Sequence, residues 1–155
     1  MTDISIVSGP FDPAREVDAV RRDNPKVGGV VSFTGYMRDI NENRAVKRMF
    51  LEHYPGMTEK ALQQIVDEAR QRWDLEGIRV VHRVGAMDPL DPIVVVAVAS
   101  RHRGDAFRAC EFIIDFLKTR APFWKKEETD QGGHWVDARD SDDTAAHRWD
   151  AEKSR

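Results

Sequence analysis

Two observations on the amino-acid sequence predict an α+β fold. Strand-like and helix-like segments follow one another without the regular alternation that is typical of parallel α/β proteins. The chain has 155 residues, of which 41% are hydrophobic and 33% are charged, so it can bury a core and has the length of one domain. We therefore expect a single domain over residues 1–150 and a frayed tail over residues 151–155.

The first elements are predicted from hydrophobic patterning and from the residues that begin each segment. After a short apolar stretch at 4–7, Asp12 and Pro13 begin a weak helix that extends to about Arg22, as an N-cap and a first-turn proline. Thr58 is expected to cap a second helix, in which apolar residues recur at helical spacing until Gly77. The predicted helices begin near 12, 58 and 105, with a short last helix around Trp149; the predicted strands span 30–36, 46–54, 78–84 and 93–99, and 38–43 is predicted to be a loop.

The second half contains the most apolar segment of the chain. Ile93 to Ala99 is apolar on both faces, so we expect a central strand that is covered on both sides. Asp105 is expected to cap a long helix that ends near Thr119, because Pro122 cannot continue a helix and disfavours helical geometry at the residue before it. Residues 123–139 contain a Gln-Gly-Gly turn signal and are interpreted as a hairpin.

The composition excludes several classes of protein. A formal net charge of −3 argues against an electrostatic nucleic-acid binder. The longest apolar run is far shorter than the roughly 20 residues that span a bilayer, and the N-terminus lacks a secretion signal, so we predict a cytoplasmic protein. One cysteine cannot form an internal disulfide or a zinc site of several thiolates. The remaining histidines lack metal-ligand spacing and are expected to be structural or surface residues, with no metal or cofactor: His53, His82, His134 and His147.

Positive charge concentrates in two regions next to the ends of the long helix. Residues 118–126 follow the proline bend, and Arg101 to Arg103 lie where the buried strand leads into the helix. Such cations can simply offset the helix dipole and face solvent. They can also form an anion pocket, in which a partly desolvated lysine acts as a nucleophile or base and the helix N-terminus binds a phosphate. Arg38, which follows another strand, has the same two interpretations.

Five sequence blocks, in this order, resemble the catalytic (large) subunit of molybdopterin synthase, the MoaE family. They are VVSFTGYMRD at 30–39, LEHYPGM at 51–57, HRVG at 82–85, SRHR at 100–103 and LKTRAPFWKKE at 117–127. The resemblance extends over about residues 4–149. The EHYPGM and KTRAPFWK strings are highly specific for this family.

The resemblance implies a sulfurtransferase of molybdenum-cofactor biosynthesis. Members of the family convert cyclic pyranopterin monophosphate to molybdopterin. The two sulfurs come from the C-terminal thiocarboxylate of a small ubiquitin-like carrier (MoaD-like), whose Gly-Gly tail enters the catalytic subunit. Two catalytic subunits form a central homodimer with one carrier at each end, which makes a heterotetramer. The implied fold is an α/β-hammerhead-type domain with an additional antiparallel β subdomain.

The resemblance also implies roles for individual residues. Lys118 and Lys125 match the family's functional lysines and are expected to be catalytic. Lys125 would serve in acid/base work or activation at the reacting carbon, and Lys118 would orient the thiocarboxylate and the substrate. Arg38, His102 and Arg103 match substrate-binding positions, and the other residues expected to line the site are Tyr36, Met37, Lys126 and Glu127. In the family the pocket draws on both subunits of the dimer, so these residues need not converge within one chain.

Other functions and details stay open at this level. A non-catalytic module that docks a ubiquitin-like protein would not need the lysine pair, and an anion- or nucleic-acid-binding domain around Trp124 is disfavoured by the net charge. Cys110 lies on the apolar side of the long helix, so we expect it to be buried and the sulfur to come from a partner. The family commonly has Gly-Asp where this chain has Leu90-Asp91, a departure that concerns only the local turn geometry.

Overall fold

The computed structural model describes residues 3–41, 44–130, 132–136 and 140–153. Its helices are α1 (Pro13–Ala19), α2 (Met57–Arg72), α3 (Arg103–Arg120) and α4 (Asp140–Lys153). Its strands are β1 (Ile4–Val7), β2 (Gly29–Tyr36), β3 (Ile40–Asn41), β4 (Arg44–His53), β5 (Gly77–Arg83), β6 (Gly85–Met87), β7 (Pro92–Ser100), β8 (Phe123–Thr129) and β9 (Gly132–Val136). In none of the ranges described is there a helix with the length and apolar character needed to cross a membrane.

The larger core is built on a four-stranded sheet in the order β1-β5-β7-β2. β1 runs parallel to β5, and the other neighbours are antiparallel. β7 is central and buried on both faces, as predicted, because successive side chains point to opposite sides of a strand. Val94, Val96 and Val98 pack with α2 and α3, whereas Ala97 and Ala99 pack with Val20 just after α1.

A second, antiparallel sheet carries the order β3-β4-β8-β9, with β6 also paired to β4. It has a small core of its own, made of Met37, Val46, Met49, Leu51 and Met87. The two sheets and the helices confirm the α+β prediction, and the antiparallel sheet is the additional subdomain that the resemblance implied.

Two short strands were not predicted, and two predicted caps are wrong. β3 lies inside the segment interpreted as a loop, and β6 follows β5; both are too short to show an alternating pattern and form by pairing with β4. α2 begins after Gly56 and α3 after His102, so neither Thr58 nor Asp105 is the N-cap residue. The first helix does begin after Asp12, whose carboxylate accepts from the Ala14 N–H at 3.0 Å, and it ends at Ala19, short of the predicted Arg22.

The last helix packs on α3 through one tryptophan. Trp149 is 3% exposed and makes edge contacts with Trp73 and Phe112. Its Nε1 donates to Asp115 Oδ2 at 2.8 Å, which places an acidic residue of α3 at the contact with α4. α4 continues to Lys153, so the first three residues of the predicted tail are helical, and residues 154–155 lie outside the described residues.

Candidate active site

Helix α3 runs back along the sheet, antiparallel to β7. Near its start, two residues separate Arg103 from the end of β7 at Ser100. Halfway along, the Cys110 thiol lies 3.7 Å from the Val96 carbonyl oxygen. Near its end, Lys118 is close enough to His82 to lower the pKa of that imidazole. The helix therefore carries its first and last residues to opposite ends of the sheet, which we call the His102 end and the Lys118 end.

The Lys118 end brings together the helix terminus and the start of β8. The bend at residues 121–122 connects them, and Phe123 stacks on His82 with 3.9 Å between ring centroids and 15° between ring planes. Lys125 follows Phe123 by two residues on the same strand. Because His82 contacts Phe123 and is influenced by the Lys118 charge, the structure groups the two predicted catalytic lysines at one end of the sheet.

His82 is a buried, uncharged imidazole within this group. It is 4% exposed, and its Nδ1 lies 2.9 Å from the Arg83 carbonyl oxygen, which can only accept, so Nδ1 carries the proton. Burial is the main cause that lowers the pKa of His82, to about 4, and repulsion from Lys118 and His53 acts in the same direction. At neutral pH this residue therefore adds no second positive charge beside Lys118.

Strand alternation separates the neighbouring lysines of β8. Lys125 and Glu127 lie on the same face of β8, with 4.0 Å between Lys125 Nζ and Glu127 Oε2. Their partners on β4, Leu51 and Met49, lie on that face of the sheet as well. Lys126 points to the other face, where its Nζ lies 5.9 Å from the ring centroid of the exposed Trp135. The two lysines, both predicted to belong to the site, thus point in opposite directions.

Arg38 lies two residues after the end of β2, at the Lys118 end of the sheet. β2 finishes opposite the start of β7, where Tyr36 pairs with Pro92. Met37 is only 4% exposed and belongs to the core of the antiparallel sheet, so it anchors the chain on one side of Arg38. The Tyr36 side chain is 54% exposed, and Arg38 is exposed as well.

His102 and Arg103 lie at the other end of α3. His102 is the N-cap residue, and its backbone N–H donates to Ser100 Oγ at 3.4 Å. Both residues are exposed. The neighbouring Arg101 is paired instead with Glu76, 3.0 Å from Arg101 Nε to Glu76 Oε1, and this hydrogen bond holds the pKa of the carboxyl below its usual value. Arg101 therefore has a structural partner.

The length of α3 decides which predicted residues can meet within one chain. Fifteen residues separate Arg103 from Lys118, which is about 22 Å along an α-helix at ~1.5 Å per residue. This distance exceeds what the two side chains can span. One chain therefore gathers Lys118, Lys125 and the start of the Arg38 loop, and it does not bring His102 or Arg103 to them.

The cysteine and the acidic residues complete the description of the site. Cys110 is 4% exposed, as predicted, and burial raises the pKa of its thiol to about 12. In the part of the chain that the structure describes, no three His, Cys, Asp or Glu side chains are grouped closely enough to hold a metal ion.

The sequence analysis did not assign Thr58 or His82 to the Lys118 end, where the structure places both. The sequence signal for them is indirect: Thr58 follows the EHYPGM block, and His82 is the first residue of the HRVG block.

The structure is that of an α+β protein with cationic side chains at both ends of one long helix, an arrangement that suits anionic ligands. A sequence model of the family described as "MoaE protein" matches residues 6–120, which is most of the chain. The chain belongs to the MoaE family, the catalytic subunits of molybdopterin synthase.

Individual relatives agree with this membership over nearly the whole chain. The molybdopterin synthase catalytic subunit of Ralstonia nicotianae is 58% identical over 149 residues, which cover 96% of this chain and 85% of that protein. The corresponding subunit of Escherichia coli is 53% identical over 152 residues, covering 96% and 100% of the two chains. The solved structure of the MoaE protein from Burkholderia ambifaria has a TM-score of 0.80 and 55% identity, and covers 97% of this chain and 99% of that one.

Proposed function

We propose that this chain converts cyclic pyranopterin monophosphate to molybdopterin as a cytoplasmic sulfurtransferase. Both dithiolene sulfurs would come from the C-terminal thiocarboxylate of a small ubiquitin-like carrier. The observation that carries the proposal is the grouping of Lys118 and Lys125 at one end of the sheet, linked through Phe123 and His82. The carrier's thiocarboxylate and the cyclic phosphate of the substrate are both anions, so a pair of ammonium groups can orient them and stabilise the charge that develops as the thiocarboxylate sulfur attacks the reacting carbon.

The two lysines have different surroundings, which supports different roles. Lys118 is exposed on the last turn of α3 and adjoins the uncharged His82, so it is suited to bind the incoming thiocarboxylate. Lys125 is more buried, with 32% of its side chain exposed, and Glu127 lies 4.0 Å away. Partial desolvation favours the neutral amine of a lysine, and a neighbouring carboxylate can accept a proton, so this pair suits acid/base work at the reacting carbon.

Buried Cys110 supports an external source of sulfur. A persulfide carrier needs an accessible thiolate, and this thiol is both enclosed and held protonated. The sulfur would therefore arrive already activated on the carrier.

Arg103 and Lys118 lie about 22 Å apart along α3, at ~1.5 Å per residue. This distance supports a site that is shared by two copies of the chain. In a homodimer with twofold symmetry, the His102 end of one copy can complete the Lys118 end of the other. His102 and Arg103 of one copy and Arg38 would then hold the phosphate and pterin, with Tyr36 and Glu127 nearby. Met37 and Lys126 remain proposed lining residues of this site. One carrier at each end of the homodimer would complete the proposed heterotetramer.

The decisive experiment incubates the purified chain with cyclic pyranopterin monophosphate and a thiocarboxylated carrier and measures the dithiolene product. Lys118→Ala and Lys125→Ala should each lower turnover by at least about 100-fold without changing the oligomeric state. Lys60→Ala, at an exposed position of α2, is the matched lysine control and should keep wild-type turnover. Absence of product from folded wild-type protein would overturn the proposal.

Mixed dimers test whether the site is shared. Lys118→Ala and Arg103→Ala chains are each expected to be inactive, but a dimer with one of each has one intact shared site. Random exchange at equal amounts should restore roughly a quarter of the wild-type activity, because half the dimers are mixed and each has one working site of two. If all the residues act within one chain, mixing restores nothing.

A further inference from the structure

Two residues, Ala121 and Pro122, form the bend that separates the helix of Lys118 from the strand of Lys125. α3 ends at Arg120, Ala121 is extended with φ −84° and ψ 128°, and β8 begins at Phe123. Within the bend, the Phe123 N–H donates to the Ala121 carbonyl at 3.0 Å. Pro122 has no N–H of its own, so its carbonyl is the one backbone polar group that can tie the centre of the bend to the rest of the protein.

Thr58 makes that tie. Its side chain is 0% exposed, and its hydroxyl donates to the Pro122 carbonyl at 2.9 Å while accepting from the Tyr54 N–H, also at 2.9 Å. Both hydrogen-bonding functions of the hydroxyl are therefore used. Tyr54 belongs to the turn between β4 and α2, so the start of α2 and the bend are held to each other through one buried oxygen.

His82 holds the other side of the bend. Its ring lies flat against Phe123 at 3.9 Å, and the hydrogen bond from Nδ1 to the Arg83 carbonyl at 2.9 Å limits rotation of the ring. The pairing of Phe123 with His53 in the sheet fixes the backbone at the same point. The bend is thus restrained at its carbonyl by Thr58 and at its aromatic ring by His82.

We propose that Thr58 and His82 are positioning residues that set the separation of Lys118 and Lys125 by restraining this bend. The inference rests on the proposed function, since it deepens the role of the lysine pair. Neither residue is a catalytic group in this proposal, because each acts through the bend. A displacement of about 1 Å between reacting groups can lower a rate by about 100-fold, so the loss of a single restraint is expected to be visible in kcat.

The first test replaces Thr58 in the complete chain, assayed with carrier and pterin substrate. Thr58→Val keeps the shape and removes the hydroxyl, and it should lower kcat at least 10-fold, with KM for both substrates changed less than about 3-fold. Thr58→Ser keeps the hydroxyl and should recover kcat to within about 3-fold of wild type. A folded Thr58→Val protein with wild-type kcat would overturn the inference.

A control separates positioning from general destabilisation. Val66 is a fully buried residue of the same helix, and Val66→Ala should lower the melting temperature without the loss of kcat. Equal losses of kcat in Val66→Ala and Thr58→Val would mean that Thr58 is merely structural. Amide hydrogen exchange gives a readout that does not need turnover: exchange of the Phe123 N–H should speed up at least 10-fold in Thr58→Val and stay unchanged in Val66→Ala.

Variants of His82 keep the inference testable if Thr58→Val does not fold. His82→Phe preserves an aromatic ring against Phe123, and His82→Leu removes it. We expect kcat to fall at least 10-fold in His82→Leu and clearly less in His82→Phe. Equal turnover in the two variants would overturn the role of the stacked ring, whereas a wild-type chain that forms no product contradicts the proposed function itself.

Discussion

The guanidinium of Arg83 contacts the carboxylate of Asp91, with 3.4 Å between Nη1 and Oδ2, and so ties the end of β5 to the turn before β7. The same carboxylate accepts from the Asp88 N–H at 2.9 Å. The turn is paired by its backbone to Met37, which donates to the Asp91 carbonyl and accepts from the Leu90 N–H, both at 2.9 Å. This partly buried ion pair thus supports the turn that pairs with Met37, the residue before Arg38.

This relationship predicts non-additive effects on stability. Asp91→Ala should lower the free energy of unfolding by about 2 kcal/mol, because it leaves the mostly buried Arg83 without its charged partner. Adding Arg83→Met should recover part of that loss, since a methionine of similar length requires no counter-charge. Urea unfolding of the two single variants and the double variant measures the coupling. Strict additivity would contradict the prediction.

Leu90 is held in the left-handed region of the backbone. Its φ is +78°, and its side chain is 84% exposed, so it has backbone strain without compensating burial. Glycine would adopt the same conformation without this strain. Leu90→Gly should raise the free energy of unfolding by about 1 kcal/mol, and Leu90→Ala should give no comparable gain because alanine keeps the strain. Thermal unfolding of both variants tests this difference; equal stability of the two would contradict it.

Gly28 is required by its close approach to the segment that carries His102. A Cβ at this position would lie 2.1 Å from the Arg101 carbonyl oxygen, whereas a Cβ on Gly29 would meet nothing within 4 Å. Gly28→Ala should therefore lower the free energy of unfolding by at least about 2 kcal/mol and reduce product formation by displacing His102 and Arg103. Gly29→Ala is the matched control and should behave like wild type in both assays.

The lowered pKa of His82 predicts that the protein loses stability in mild acid. Its pKa is lowered by burial to about 4 in the folded protein, while the unfolded chain takes up the proton near pH 6.5. Between these values the unfolded state binds more protons, so stability falls as the pH falls, by about 3 kcal/mol in total from this group. Lys118 and His53 face the ring and add to the effect. His82→Phe should flatten the stability curve between pH 6.5 and 4; identical curves would contradict this account.

Cys110 is predicted to be dispensable for sulfur transfer. Cys110→Ala should keep turnover within about 2-fold of wild type and lower the free energy of unfolding by about 1 kcal/mol, because a small buried group is lost. A thiol-alkylating reagent should likewise leave wild-type turnover unchanged, since burial raises the pKa of the thiol to about 12. Loss of turnover in a folded variant would show that this thiol takes part in the reaction.

Local patterns in the sequence were sufficient for most of the fold. Apolar runs and helix-ending residues predicted the central strand β7, the long helix α3 and the hairpin of β8 and β9, because these elements depend on neighbouring residues. The strands β3 and β6 could not be predicted in the same way, since each exists only through its pairing with β4. The predicted cap at Thr58 failed for a related reason: its hydroxyl bonds to Pro122, which is 64 positions away in the sequence.

The family, the lysine pair and the proline bend between the lysines can be predicted from the sequence alone, because each is encoded in contiguous residues. Which residues face one another depends on the tertiary structure. Strand alternation separated Lys125 from Lys126, the length of α3 separated Arg103 from Lys118, and burial made His82 an uncharged neighbour of Lys118. Contacts between distant residues are selected by packing and by the hydrogen-bonding needs of buried groups, and neither can be read from one segment alone.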